Sequence, residues 1–568
     1  MGRPFANQEE FSRIGSGRIH VVCSAQGGRV ETLTAPAAID RGRQLLCSLG
    51  IDSAERVALL LLPHSPELYC LHLALVMDGH LPAILPWPTS RIDAEKYQRN
   101  LLHQLAGLPA ARLLTLPQLA ENLGSGLPFP VSSILVEGHE AFQKGFGSKF
   151  TAAPPAGVED SQEALKTLPE DALFLQFSGG TTGTQKCVVV TERMLRNQLD
   201  RLRQALHFST EDTVVSWLPM YHDMGLIACL WLPLWCGGTS VHMAAGDWLL
   251  APEKLFQLAE QYRGTFCWLP NFAFSYLAQR REAMCGARNL ATMRGWINCS
   301  EPVRLPSMRA FVEAFSDWGV REGDVQASYA MAETVFAATQ TRLGAFPRVV
   351  ARHLIGATGN GLEQLEFSMP DETFVSSGEL LPDTKARIVD THGSVRETGT
   401  AGEIQIQSPS SFSGYWGRDG FQTDCFTSDG WYRTGDYGFL RKNELYVIGR
   451  LKDLIIVGGQ NVFPEDVEFL VNEVDGVYPG RVVAFGVDDE QYGTQSIGVV
   501  AELRDGVGMD GNSIEREVQA RVLTGIGIAP RYVRVVPERW IVKSTAGKIS
   551  RKDTREKFMK QLREQEVS

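Results

Sequence analysis

The sequence predicts an α/β protein in two parts. Residues 1–451 read as a large domain of several subdomains, with mixed sheets packed with helices, and residues 452–568 as a small α+β domain. Three observations predict this. Apolar, β-branched runs alternate with helical patterns along most of the chain. A total of 568 residues exceeds one ordinary domain. The pattern also changes near residue 450, after which about 115 residues suffice for a separate compact unit.

Taken in order, 56–62 is a strand candidate that ends at Pro63, and 71–77 reads as a buried helix after the break at Pro66 and Glu67. Segments 113–116, 133–136, 214–218 and Phe266–Leu269 are further strand candidates, with helical patterns at Glu192–Leu206 and 252–261. The stretch 157–170 is mostly polar and reads as a surface connection. Beyond residue 450, 464–474 reads as a helix opening at proline, and 482–487, 496–503 and Tyr532–Val536 read as strands. Asn512 with Glu515 three residues on predicts a capping box for a helix ending at Leu523.

Composition narrows the function classes. Hydrophobic residues make up 44% and charged residues 21%, which allows a large core without staples. A net charge of −11 argues against bulk nucleic-acid binding. Ten cysteines without a CxxC pair read as reduced, mostly buried thiols of a cytoplasmic protein, and argue against zinc. The sequon Asn298-Cys299-Ser300 reads as chance. The polar start MGRPFANQEEF carries no signal-peptide core, and Ala6 stands where a myristoylation pattern needs a hydroxyl. The apolar run 226–232 is too short to span a bilayer.

The chemistry concentrates in six stretches. In "LQFSGGTTGTQKCVVV" two strand-like runs, Ala172–Phe177 and 187–190, flank seven consecutive polar or glycine residues, 178–184. Backbone N–H groups, hydroxyls and Lys186 suit an anion with several oxygens, most simply phosphate. The spacing is not that of a Walker loop. In "SWLPMYHDMGL", His222 beside Asp223 invites a triad reading, yet neighbours on a strand or loop point apart and no GxSxG is present. His222 is then either a core histidine beside a turn or a wall near a reacting carboxylate. In "ASYAMAETVF", Glu333 in an apolar setting is costly to bury unless paired or on a metal. It is a candidate Mg²⁺ ligand and Tyr329 a candidate stacking surface for a base; the alternative is an exposed glutamate at a helix start. In "GWYRTGDYGFL" and "GRLKDLIIVGG", Asp436 can accept both ribose hydroxyls and Arg450 can reinforce it. "KSTAGKISRK" is a basic loop whose Lys548 matters only if it reaches the phosphate; otherwise it is a solvated tail.

In this order and at these separations, the loop, YHDMG, YxMAE, TGD, GRxKD and the late GK resemble the adenylate-forming superfamily, which includes acyl-CoA synthetases, luciferases and peptide-synthetase adenylation domains. The stretches "WLPMYHDMGLI", "LPNFAFSYL", "NCSEPVR" and "SYAMAET" resemble most the fatty acyl-AMP ligases, and 346–374 corresponds to their insertion. Gly179, Gln185, Cys187 and Ala330 depart from the usual pattern.

The resemblance implies that a carboxylic acid is joined to AMP from ATP, with Mg²⁺, and then passed to the phosphopantetheine thiol of an acyl carrier protein. It implies ATP contacts from Ser178, Gly179, Gly180, Thr181, Thr182, Gly183 and Lys186, and from Ser300, Glu301, Ser328, Tyr329, Ala330, Asp436 and Arg450. Thr182 and Glu333 would hold the metal, with Glu333, His222 and Lys548 in catalytic roles. Lys452 would be the hinge of a mobile lid domain that carries Lys548. Trp217, Met220, Trp268 and Phe272 would line an acyl pocket, though both stretches could be plain core. Arg531, Arg534, Arg539 and Lys543 are candidates for docking an acidic carrier. A fatty acyl-CoA ligase, or an adenylate-binding homologue impaired in catalysis, is the alternative; no nucleic acid and no membrane span are expected.

Overall fold

The structure, a computed structural model, describes residues 14–23, 28–51, 56–88, 97, 101–102, 104–105, 108, 111–123, 127, 130–137, 162–178, 186–286, 288–351, 373–417, 419–458, 460–489, 494–504, 511–543 and 549–566. Within these, three sheets make up the large part. One runs Val325–Ala327, Gly295–Asn298, Phe266–Leu269, Thr213–Ser216, Thr239–His242, Arg18–Cys23 and Arg29–Thr34, parallel except at the last pair. A second runs Gly420–Gln422, Tyr415–Gly417, Cys187–Thr191, Ala172–Phe177, Leu81–Ile84, Val57–Leu61, Ala111–Thr115 and Val131–Ser133. It is parallel from Ala172–Phe177 onward and antiparallel on the other side. The third is antiparallel: Thr339–Gln340, Glu379–Leu380, Glu444–Arg450, Tyr432–Arg441, Gly402–Gln407 and Lys385–Val389.

Parallel strands buried on both faces read as unbroken apolar runs, as VALLL and ALFLQF do. Helix Glu192–Leu206 follows the apolar period that predicts it. Thr191 caps it by accepting from Met194 N, and Met194, Leu195, Leu199, Leu202 and Leu206 are buried on one face. Helix Pro66–Met77 is buried on all sides and packs against helix Ala35–Ser48. They approach so closely that a Cβ on Gly42 would lie 2.1 Å from the Cys70 carbonyl oxygen.

The small part is α+β. Thr494–Leu503 pairs antiparallel with Val477–Asp489 and parallel with Tyr532–Val536, and helices Pro464–Asn472, Gly511–Ile526 and Arg551–Glu566 complete it. The predicted capping box is not made. The helix starts at Gly511, so Asn512 lies within it, and Glu515 Oε1 accepts from Val535 N at 3.0 Å instead. Two other expectations shift. The strand expected at 133–136 lies at Val131–Ser133. The connection 157–170 carries a helix, Gln162–Lys166, and buries Ala164 and Leu168, while 157–161 lie outside the described residues. Residues 352–372 of the expected insertion also lie outside; the strands on either side, Val349–Ala351 and Thr373–Val375, pair antiparallel. All ten thiols are free, seven of them buried. Asn298 of the sequon is fully buried and donates to Asn271 Oδ1 at 2.9 Å. No helix among the described residues is long and apolar enough to cross a membrane.

Two imidazoles in the core of the large part, His72 and His242, are almost fully enclosed. His72 Nε2 accepts from Trp231 Nε1 at 3.2 Å, and His242 contacts Ser240 Oγ and lies 5.0 Å from the Tyr69 ring. Burial pushes both pKa values down to about 3. Below the ordinary value of 6.5 the unfolded chain takes up protons that the folded chain refuses, so stability falls as pH drops from 6.5 toward 3. By pH 5 the loss is about 2 kcal/mol per imidazole. The urea midpoint should therefore drop between pH 7 and 5, and His72→Gln, which keeps an acceptor for Trp231, should make that drop shallower.

Candidate active site

Glu333 sits in a single 3₁₀ turn, Ala332–Thr334, that ends at Val335 in the left-handed region, φ 67°. A β-branched residue there is strained by roughly 1–3 kcal/mol. The turn directs Glu333 inward, to 8% exposure. Burial raises its pKa, opposed by a hydrogen bond from Tyr415 Oη to Oε1 at 2.5 Å. Tyr432 Oη lies 3.1 Å from Tyr415 Oη. Lys186 Nζ rests 4.3 Å from the centre of the Tyr415 ring. The turn is thus a buried carboxylate, as expected, and not an exposed helix start. Tyr415 and Tyr432 carry no sequence signal on their own; only the sheet edges bring them here.

A second cluster lies on the hairpin Tyr432–Arg441 and Glu444–Arg450, where Asp436 and Arg450 face each other in register. Arg450 Nε is 3.2 Å from Asp436 Oδ1, and Tyr329 Oη donates to Asp436 Oδ2 at 2.5 Å. Asp436 raises the Arg450 pKa, while burial and then Asp436 raise that of Tyr329 well above 10. Tyr329 is held through its backbone, since its N–H donates to Thr339 Oγ1 at 3.0 Å. Ser328 Oγ donates to the Thr339 carbonyl at 2.7 Å, and Ala330 bridges Ala337. Lys452 follows in the turn Leu451–Asp453, its pKa lowered by burial and by Arg450.

The YHDMG stretch corrects one expectation. His222 and Asp223 do not point apart: Nδ1 and Oδ1 are 2.5 Å apart, because His222 lies in a bend and Asp223 at the helical start of the segment that follows. Asp223 Oδ1 also accepts from Met224 N at 2.8 Å, at the start of a wholly buried π-helix, Met224–Trp231. Such helices are frequent at functional sites. Trp217 stacks on Trp248 at 3.9 Å with planes 1° apart, and Phe272 meets both edge-on. Met220 is buried in the same core, and Trp268 packs against Phe266 and Phe336. Of the expected pocket residues, Trp217 and Phe272 thus share a ring cluster, and Trp248 is the member that sequence reasoning missed. Glu301 Oε2 accepts from Phe272 N at 2.9 Å, and Ser300, at φ 71°, lies 3.8 Å from Met224 Sδ.

The neck of the glycine-rich loop is closed. Ser178 N donates to Lys186 O at 2.8 Å and Lys186 N to Ser178 Oγ at 3.2 Å. Gly179, Gly180, Thr181, Thr182, Gly183 and Gln185 lie outside the described residues, as does Lys548. Cys187 is a buried strand residue opposite Phe177 and Trp416, so this departure faces the core.

The two parts meet at Arg304, whose Nη2 donates to the Glu465 carbonyl at 3.2 Å and whose Nη1 is 3.7 Å from Asp466. Within the small part, Arg551 reaches Asp453 at 2.9 Å, Glu465 at 3.0 Å and Glu468 at 2.9 Å.

Among the described residues no group of three or more His, Cys, Asp or Glu could hold a metal ion. Glu333 nevertheless fits magnesium: it is one hard oxygen donor in a nearly dry setting, and this ion takes one or two protein carboxylates with phosphates and water.

The fold is that of the adenylate-forming enzymes. It matches fatty acyl-adenylate ligases from E. coli and L. pneumophila with a TM-score of 0.78, 21% identity, 99% of this chain and 98% of that one. The McyG A-PCP structure with phenylalanyl-adenylate gives 0.79, 23%, 98% and 83%. Residues 37–416, more than half of the chain, match the family described as AMP-binding enzyme, and the chain belongs to it. The long-chain-fatty-acid–AMP ligase FadD26 of Mycobacterium marinum is 30% identical over 429 residues, 69% of this chain and 70% of that protein. The 4-hydroxyphenylalkanoate adenylyltransferase of Mycobacterium tuberculosis is 28% identical over 538 residues, 89% and 83%.

Gly225 opens the π-helix so tightly that a Cβ would stand 2.2 Å from the Pro219 carbonyl oxygen. Gly225→Ala must therefore move backbone and should cost about 1–3 kcal/mol, read as a lower denaturant midpoint.

Proposed function

We propose that this chain activates a fatty or related carboxylic acid as its acyl-AMP at the expense of ATP, and passes the acyl group to the phosphopantetheine thiol of an acyl carrier protein. The observation that carries the reading is the Asp436 carboxylate, 7% exposed and set between the Tyr329 hydroxyl and Arg450. It is a ready acceptor pair for ribose hydroxyls. The names of the ligase relatives support a fatty acid.

A carboxylate is a poor electrophile. Its oxygen attacks the α-phosphorus of ATP, a new P–O bond forms, and the bond to the pyrophosphate oxygen breaks. The protein's part is positioning and charge stabilisation. Ser178, the loop after it and Lys186 would hold the phosphates, and Asp436 and Arg450 the ribose, with Tyr329 against the base. Ser300, Glu301, Ser328 and Ala330 would border the nucleotide, mainly through backbone, since Ser328 Oγ and the Glu301 carboxylate already have partners. Glu333, with Thr182, would hold magnesium, which when bound supplies positive charge to the phosphates. His222, turned by Asp223, would border the reacting carboxylate, with Trp217, Phe272 and the neighbouring Met220 and Trp268 along the acyl chain.

Thiol attack on the acyl-AMP then releases AMP. Residues 452–568 would turn about Lys452 between the two steps, taking Lys548 from the α-phosphate so that the pantetheine arm can enter. Arg531, Arg534, Arg539 and Lys543 on that domain would receive an acidic carrier.

Acid-dependent exchange of pyrophosphate into ATP tests the reading. Exchange with fatty acids supports it, and none with any acid across a broad panel overturns it. Holo-carrier should then be acylated in preference to CoA. Lys548→Ala should slow adenylate formation on the order of 10²–10³-fold while leaving transfer from preformed acyl-AMP largely intact. Equal loss of both steps contradicts the domain rotation.

A further inference from the structure

Tyr415 touches two groups of opposite charge that the reading above assigns to different tasks. Its hydroxyl donates to Glu333 Oε1 at 2.5 Å, and its ring face carries the Lys186 ammonium at 4.3 Å. It comes from a third place in the chain, a short strand on the antiparallel side of the second sheet, set between Gly420–Gln422 and Cys187–Thr191 just after Lys186. The same segment is fastened to the Glu333 turn by Phe412 N, which donates to the Glu333 carbonyl at 2.9 Å. Tyr415 is 8% exposed and Tyr432 5%, so neither hydroxyl is a surface accident.

A buried carboxylate without a donor is costly and turns freely about its last bond. One short hydrogen bond on Oε1 fixes that rotation and leaves Oε2 as the oxygen to offer. The Tyr432 hydroxyl in contact with Tyr415 continues the chain of hydroxyls and strengthens the last bond in it.

We infer that Tyr415 is a positioning residue of the nucleotide site, which aims Glu333 at the metal through its hydroxyl and seats Lys186 for the phosphates through its ring. The inference rests on the functional reading given above and assigns the division of labour within it. Tyr415→Phe removes the first role and keeps the second; Tyr415→Leu removes both.

The experiment is calorimetric titration of the full chain with ATP, in magnesium and in EDTA, with no turnover involved. Magnesium should strengthen ATP binding to the wild type. In Tyr415→Phe that gain should shrink by at least about tenfold, the worth of one hydrogen bond to a charged group, while affinity in EDTA stays within about twofold of wild type. Tyr415→Leu should lose affinity in EDTA as well. Tyr432→Phe, which leaves the Glu333 bond in place, should show a smaller fall in the same direction and gives a second reading if Tyr415→Phe folds poorly. An unchanged magnesium gain in Tyr415→Phe overturns the inference alone, as does an equal loss with and without magnesium. No magnesium-dependent ATP binding by the wild type overturns the functional reading together with it.

Discussion

A carboxylate with almost no access to water must have a partner, and the site is arranged around that demand at Glu333. The turn that directs it inward holds Val335 in a conformation β-branched residues avoid, so the surroundings enforce the arrangement. Tyr415 supplies a donor from the second sheet and Tyr432 backs it from the third. The same logic repeats at Asp436, which is almost dry and is answered by a phenol and a guanidinium. Two acids, three phenols and two cations therefore meet in these clusters, with charges paired rather than scattered.

That pairing depends on sheets that meet. The second sheet is parallel and deeply buried up to Ala172–Phe177, then turns antiparallel through Cys187–Thr191 and Tyr415–Gly417. The reversal lets one short loop leave and return on neighbouring strands, its neck fixed by Ser178 and Lys186. The third sheet presents Asp436 and Arg450 in register at one end of a hairpin. The apolar mass behind, with its stacked Trp217 and Trp248, keeps these edges from shifting.

Much of the local structure is legible in the residues. Helix Glu192–Leu206, strands Ala172–Phe177, Phe266–Leu269 and Tyr532–Val536 and the small α+β part all follow from apolar period and turn signals. Glu333 stands out because a charged side chain in an apolar run is conspicuous, whereas Asp436 and Arg450, in TGD and GR, are weak alone and gain weight only from the order of the motifs. Tyr415 does not, since it is 82 residues from Glu333 and an aromatic on a strand is ordinary. The π-helix is equally silent, because MGLIACLW reads only as apolar. The expectation that His222 and Asp223 diverge assumes a strand or loop, and the capping box at Asn512 assumes a helix that starts two residues later. The first fails because the backbone there bends into the π-helix, the second because a tertiary contact wins: Glu515 accepts from Val535 N instead.

Arg551 answers Asp453, Glu465 and Glu468 at once, and also donates through Nε to the Ala484 carbonyl at 2.9 Å. Only a flat, five-donor head can serve so many acceptors in diverging directions; a lysine amine reaches one or two and would abandon the others. The position therefore tolerates no ordinary exchange between basic side chains. Drift there would leave surplus negative charge around Asp453, Glu465 and Glu468, loosening the helix that Arg551 opens from the strands beneath.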